Sequence, residues 1–156
     1  MNIRRATEED ALKIAAVAIA VWIDAYARQG MDQVNSSYVL GRFTESNIKS
    51  LMLNKYLYVA ETDFGICGFA VVGACIESKY EIETMYVLSR FHGKGFGRKL
   101  LDFICNDVTG PFWLKCAETN VRALSFYRHN GFIDSGMVNF VLGGKDYPCI
   151  VLNKIT

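Results

Sequence analysis

The sequence predicts a three-layer α/β domain in which a mixed central sheet is flanked by helices. Three observations predict it. Short apolar, tyrosine-rich and β-branched runs take turns with helical runs along the chain. Helix-start chemistry precedes the helical runs at Thr7-Glu8-Glu9-Asp10, Thr44-Glu45-Ser46-Asn47 and Asn120. Turn chemistry separates the strands at Thr62–Gly65, Glu77–Lys79 and Gly143–Asp146. The 156 residues suffice for one domain, residues 1–156, with a sizeable core. A chain 51% hydrophobic and 21% charged is ordered and globular rather than disordered.

Asn2 to Arg5 is a short strand. A hydroxyl at Thr7 and acids in the first turn open a helix from Glu8, with Leu12, Ala15, Ala16, Ile19 and Ile23 at helical spacing, running to about Ala27. Gly30 ends it. Met31 to Gly41 reads as a loop or short helix, and Thr44 caps a further helix through Leu53. Tyr56 to Glu61 is a strand. Ile66 to Ile76 is a continuous apolar run, as in a buried strand, in which Gly68 marks a bulge or a close backbone approach. Tyr80 to Leu88 follows. After the Gly110-Pro111 break comes a strand over Phe112 to Cys116. Asn120 to Asn130 is a helix closed by Gly131. Phe132 to Leu142 is strand-like with a pause at Asp134-Ser135-Gly136. A hairpin turn at Gly143–Asp146 returns the chain through Tyr147 to Leu152, where Pro148 argues for an edge strand or a bulge.

Several function classes are excluded. A net charge of +1 implies no broad basic surface for nucleic acid or membrane. The 5 cysteines stand singly among apolar residues, with no Cys-x-x-Cys pair, and read as buried reduced thiols of a cytoplasmic protein. Two histidines, His92 and His129, are too few and too far apart for a metal site. Ala11 to Ala20 is apolar, but acids precede it, Lys13 interrupts it and Asp24 follows closely. It reads as a buried soluble helix rather than a signal or membrane segment.

The most informative stretch is Glu81 to Leu101. A strand leads through Ser89-Arg90-Phe91-His92 into three alternating glycines, Gly93, Gly95 and Gly97, and then a helix with Phe96, Leu100, Leu101 and Ile104 on one face. Such a turn aims several backbone N–H groups at one point, and the helix N-terminus adds about half a positive charge. With Lys94, Arg98 and Lys99 beside it, the turn reads as a phosphate site. It lacks the P-loop spacing, and its third glycine comes one residue early for the dinucleotide fingerprint.

His92-Gly93-Lys94-Gly95-Phe96-Gly97, after a strand ending Met85-Tyr86-Val87, resembles the Gln/Arg-x-x-Gly-x-Gly/Ala signature of the GNAT superfamily of N-acetyltransferases. His92 departs from the usual Gln or Arg. Downstream, Asn120-Val121-Arg122-Ala123-Leu124-Ser125-Phe126-Tyr127 and Gly131-Phe132 resemble that family's second motif. Two motifs in order on the expected elements are more specific than either alone, and the resemblance covers most of the chain. It implies a GNAT-type fold with a mostly antiparallel sheet. It also implies acetyl-CoA as cosubstrate, held by Met85, Tyr86, Val87, His92, Gly93, Lys94, Gly95, Phe96, Gly97, Arg98 and Asn120, with no metal. The helix-cap reading of Asn120 stands beside that role.

The implied chemistry is attack of a neutral amine on a thioester, directly and without a covalent enzyme intermediate. A backbone N–H near Val87 receives the carbonyl oxygen's growing charge. The resemblance makes Tyr127 the acid that protonates the departing thiolate, against a purely packing role. Glu81, six residues before Val87, is the candidate base, against a solvated or ion-paired role with water relaying the proton. Glu83, two residues on, is expected on the same face and is a second candidate or a cation contact. Trp22, Asp24 and Tyr26 suit an amine, though the two aromatics also suit ordinary packing. Gly136 to Leu152, together with Phe126-Tyr127-Arg128 and Gly131-Phe132, looks similar to bacterial spermidine/spermine acetyltransferases, which favours a polyamine-like acceptor. The alternatives are a peptide acceptor and a non-catalytic CoA-binding regulatory domain. The expected partners are acetyl-CoA and a small amine, with a homodimer allowed and neither nucleic acid nor membrane.

Overall fold

The computed structural model describes residues 1–155; Thr156, the last residue of the expected domain, lies outside the described residues. The elements follow in the order β1 (Asn2–Arg5), α1 (Ala11–Tyr26), α2 (Gln33–Arg42), α3 (Glu45–Met52), β2 (Tyr56–Thr62), β3 (Gly65–Val72), β4 (Tyr80–Val87), α4 (Phe96–Asp107), β5 (Phe112–Ala117), α5 (Val121–His129), β6 (Ile133–Leu142) and β7 (Lys145–Lys154). Seven strands form one mixed sheet in the order β1-β2-β3-β4-β5-β7-β6. Only β4 and β5 pair in parallel among the described residues.

Two cores explain why the central strands read as continuous apolar runs. Leu57, Val59, Phe69 and Val71 face α1, α2 and α3, where Ile14, Ala18, Trp22, Val39 and Ile48 cover them. The alternate residues Tyr58, Ala70 and Val72 face Leu100, Leu101 and Ile104 of α4 and Leu124 and Tyr127 of α5. A strand covered on both faces needs no polar alternation. Each large apolar side chain so buried contributes about 1.5–3 kcal/mol.

The structure decides one open expectation and corrects three. Met31 to Gly41 is mostly helix. Asp32 caps α2, its Oδ1 accepting from Asn35 N–H at 2.8 Å, and Val39 anchors the helix in the core. Asn35, Ser36 and Ser37 are weak helix formers, so packing and the cap carry this helix. The apolar run after Ile66 leaves the sheet at Val72 rather than Ile76, and Ile76 is exposed. There the chain must reverse, which it does with positive φ at Glu77 and Ser78. Pro148 lies on an interior strand. Its carbonyl accepts from Glu118 N–H just beyond the last β5–β7 residue pair, Ala117↔Cys149, so the missing N–H costs only the reciprocal bond at the end of that ladder. All five cysteines are free, but Cys75 is exposed and Cys105 and Cys149 are half-buried.

Other turn readings hold. Gly143 and Gly144 both have positive φ, at 59° and 75°, and join Leu142 to Lys145 as a two-residue hairpin. Gly68 makes a close approach: a Cβ there would sit 2.8 Å from the Tyr86 carbonyl oxygen. No described helix is long and apolar enough to cross a membrane.

β4 and β5 pair only at Tyr80↔Phe112 and Glu81↔Trp113. Beyond that point β4 stays on β3 and β5 stays on β7. The sheet therefore opens into a wedge between the end of β4 and the end of β5. The turns into α4 and α5 follow those two strand ends, so both helix N-termini lie at the mouth of the wedge.

Candidate active site

The β4 side of the wedge offers free backbone groups. Leu88 N–H donates to the Cys67 carbonyl of β3 at 2.8 Å. Peptide groups alternate direction along a strand, so Val87, one residue earlier, turns its N–H and C=O toward the wedge. Met85, two residues before Val87, has the same direction. His92 lies on that side: its Nε2 is 2.7 Å from the Val87 carbonyl oxygen. A carbonyl oxygen only accepts, so Nε2–H donates there. His92 Nδ1 is fully enclosed and has no partner, alone among the side-chain nitrogens and oxygens of the described residues.

The glycines divide their work. Gly93 and Gly95 have φ of 74° and 82°, and nothing lies within 4 Å of where a Cβ would stand. They shape an open concave turn at the N-terminus of α4, where first-turn N–H groups lack helical partners. Gly97 lies inside α4, and its missing side chain lets Phe126 of α5 approach: a Cβ there would be 3.4 Å from the ring. Phe96 is buried and stacks on Phe91 at 5.1 Å, fixing the turn to the core. Lys94 lies over the Phe91 ring, and Arg98 pairs with Asp102 at 3.1 Å, so Lys94 is the freer charge. Asn120 caps α5, its Oδ1 accepting from Ala123 N–H at 3.2 Å.

Tyr127 comes from α5. Its ring is 7% exposed and lies edge-on to Phe126 and Phe132. Its hydroxyl makes no hydrogen bond to a described residue, and neither do those of Tyr38 and Tyr86. Because His92 Nδ1 is the one enclosed polar side-chain atom without a partner among the described residues, these three hydroxyls are not fully enclosed. Burial pushes the hydroxyls of Tyr86 and Tyr127 well above the ordinary tyrosine range, so both remain protonated donors at neutral pH. Tyr26 and Cys116 are close enough to act on the Tyr127 hydroxyl, and burial holds the Cys116 thiol protonated, up to about 11.

A register shift in β4 decides which way Tyr86 points. Val72 pairs with Ile82 but Val71 pairs with Thr84, so Glu83 is an extra residue. Strict alternation would put Ile82 and Tyr86 on one face. Instead Ile82 packs in the α4 core and Tyr86 in the α1 core, edge-on to Phe69 and Phe43. The two glutamates take separate cations: Glu81 pairs with Lys115 of β5 at 3.1 Å and Glu83 with Lys55 at 2.6 Å. Glu81 thus lies where β4 and β5 still pair, and Tyr127 lies toward the open end.

On the far side of the wedge, Trp22 stacks on Tyr26 and Tyr38, and Tyr38 meets Phe140 of β6. An open cleft of about 520 Å³ between α1 and α2 is lined by Tyr26, Arg28, Asp32 and Asn35, among others. Asp24 accepts from the Ser89 hydroxyl at 3.2 Å, linking α1 to the glycine turn. Sequence reasoning missed Tyr38, because the segment carrying it reads as a loop or short helix; Asp32, as a cap, was the available signal.

A glycine turn at a helix N-terminus, an unpaired strand edge and a protonated tyrosine meet in one wedge of this fold, an arrangement that fits an acyltransferase. The chain belongs to the GNAT acetyltransferase family: the family model for the acetyltransferase (GNAT) domain matches residues 54–134, more than half of the chain. Solved structures share the fold at low identity. PaiA N-acetyltransferase from Thermoplasma acidophilum, in complex with coenzyme A, is 20% identical with a TM-score of 0.82, covering 99% of this chain and 98% of its own. Ribosomal-protein-alanine N-acetyltransferase from Brucella melitensis is 22% identical with a TM-score of 0.71, covering both chains fully. The protein smu.2055 from Streptococcus mutans UA159 is 17% identical with a TM-score of 0.78, covering 99% of each.

Proposed function

We propose that this protein transfers the acetyl group of acetyl-CoA directly to the primary amine of a small molecule. The observation that carries this reading is the opening of the sheet beside Val87, with the Tyr127 hydroxyl unpartnered in the same wedge. The cosubstrate fits the chain. The turn from His92 to Arg98 offers backbone N–H groups and Lys94 to a pyrophosphate. The free edge at Met85 and Val87 suits the amide-bearing arm of CoA, and Asn120 stands at the opposite rim. The coenzyme A bound by the Thermoplasma relative supports the same reading.

The residues then have separate tasks. Val87 N–H receives the negative charge that grows on the thioester oxygen. Tyr127 gives its proton to the departing thiolate, and burial keeps that proton in place until the thiolate forms. Glu81 takes the proton from the substrate ammonium by way of water, since its carboxylate is held by Lys115. His92 is a positioning residue that holds the Val87 carbonyl.

The acceptor is a small primary amine, of which the polyamine-like acceptor expected from the C-terminal run is one kind. A thiol-release assay over polyamines, amino acids, aminoglycosides and peptides tests the reading. Turnover on small amines is the expected result. Turnover confined to peptides overturns the small-molecule acceptor, and acetyl-CoA binding without turnover on any acceptor overturns catalysis.

A further inference from the structure

The acceptor side of the wedge has a charge pattern that the reaction does not explain. Arg42, at the exposed end of α2, forms no ion pair and donates no side-chain hydrogen bond among the described residues. Its guanidinium lies over Tyr38 at 5.8 Å and over Phe43 at 5.7 Å. Phe43 meets Tyr86 edge-on at 6.4 Å, and Tyr38 stacks on Trp22 at 5.5 Å. The cation therefore belongs to the aromatic assembly that runs to Tyr86 and on to Tyr127. It is also the one charged group among those acting most on the Tyr86 hydroxyl; the others are tyrosines and Cys116.

No Asp or Glu is paired with Arg42 among the described residues, and none is among the largest influences on the hydroxyls of Tyr26, Tyr86 and Tyr127. Two acids on neighbouring elements are engaged: Asp24 with the Ser89 hydroxyl, and Asp32 as the cap of α2. Arg28 lines the clefts beside both. Arg42 brings five N–H donors in a planar fork that matches a carboxylate. The hydroxyls of Tyr38 and Tyr86 are two more donors without partners. A ligand that completes this group supplies acceptors and negative charge.

We infer that the acceptor is an amine that also carries a carboxylate, with its acid held by Arg42 and the hydroxyls of Tyr38 and Tyr86 and its amine directed to the open edge of β4. This rests on the acetyltransferase reading above. It separates amino-acid-like acceptors from polyamines, whose second ammonium would meet Arg42.

The test uses matched acceptors: an ω-amino carboxylate, the alkylamine of equal chain length without the carboxylate, and spermidine. The wild-type kcat/KM for the amino carboxylate is expected to exceed that for the plain amine by about 10- to 100-fold, the worth of a charge-assisted hydrogen-bonded contact. Arg42→Met should bring that ratio to about one, and Arg42→Lys should retain part of it, since a lysine keeps the charge and loses the fork. A ratio near one in the wild type, a ratio unmoved by Arg42→Met, or a preference for spermidine overturns the assignment. So does a protein that binds acetyl-CoA in a calorimetric titration yet acetylates neither member of the pair. A protein that gives no heat with acetyl-CoA fails earlier, at the acetyltransferase reading itself.

Discussion

Replacing Tyr127 by phenylalanine isolates one proton. The ring stays against Phe126 and Phe132, so the buried area is retained. The hydroxyl has no protein partner, so its removal leaves no orphaned donor or acceptor and forfeits no intramolecular bond, normally worth about 0.5–1.5 kcal/mol. The melting temperature should therefore move by less than about 2 °C. The catalytic effect is expected to be far larger. If the hydroxyl protonates the leaving thiolate, kcat should fall about 10²- to 10⁴-fold, which corresponds to about 2.7–5.5 kcal/mol of barrier. The acetyl-CoA affinity should hardly change, because the contact forms only as the thiolate departs. Burial raises the Tyr127 pKa, so wild-type kcat should show no loss from Tyr127 ionisation on approaching pH 10, where an ordinary tyrosine ionises. A thioester with a better leaving group should shrink the gap between the two proteins, since that group needs the proton less. The assay is steady-state thiol release at saturating acetyl-CoA and amine, beside calorimetric titration and thermal unfolding. Equal kcat in the two proteins would refute the acid assignment, and a stability loss without a rate loss would make Tyr127 a packing residue.

Other expectations follow from single residues. Gly95→Val should abolish acetyl-CoA binding in a calorimetric titration while the fold survives, because a β-branched residue at φ of 82° is strained by about 1–3 kcal/mol and fills the turn; full affinity would remove the anion site from this turn. His92→Ala should weaken acetyl-CoA binding less than Gly95→Val does, because backbone N–H groups carry the main contacts; an equal loss would make the ring a direct ligand. Glu81→Gln should lower kcat about 10²- to 10⁴-fold with the acetyl-CoA affinity kept; unchanged kcat would leave the proton to water alone. Asp10, 1% exposed, accepts from both Arg4 guanidinium nitrogens and from Thr7 N–H, and the Arg4 bonds hold its carboxyl well below the usual carboxylate range. Asp10→Asn should cost about 2–3 kcal/mol at pH 7, below the figure for a fully buried pair because Arg4 is partly exposed. A carboxyl with a depressed folded pKa stabilises above its unfolded value of about 3.9 and loses that contribution as pH falls, so urea midpoints of wild type and Asp10→Asn should converge from pH 5 downward. A gap that stays constant to pH 2 would contradict the ion-pair account.

What the sequence determined is local. Caps, turns and the period of apolar residues depend on neighbours within a few positions, so β1, α1, α3, α4, α5 and the Gly143-Gly144 hairpin were legible in the letters. So was the open turn at Gly93 and Gly95, because glycines before an amphipathic helix mark a tight helix entry, whereas the packing use of Gly97 against Phe126 was not. Tertiary structure decided what depends on distant partners. Whether the apolar run after Ile66 ends at Val72 or Ile76 depends on where β4 returns to pair with it. Whether Pro148 marks an edge depends on where β5 ends: the β5–β7 ladder stops at Ala117↔Cys149, so the missing N–H costs only the last bond of an interior ladder. The extra residue at Glu83 arises only against β3, and it alone turns Tyr86 to the α1 side. The opening of the sheet has no local signal at all. It exists because β4 and β5 pair at two residues and then follow different neighbours, which brings the glycine turn, the free edge of β4 and a buried tyrosine around one opening.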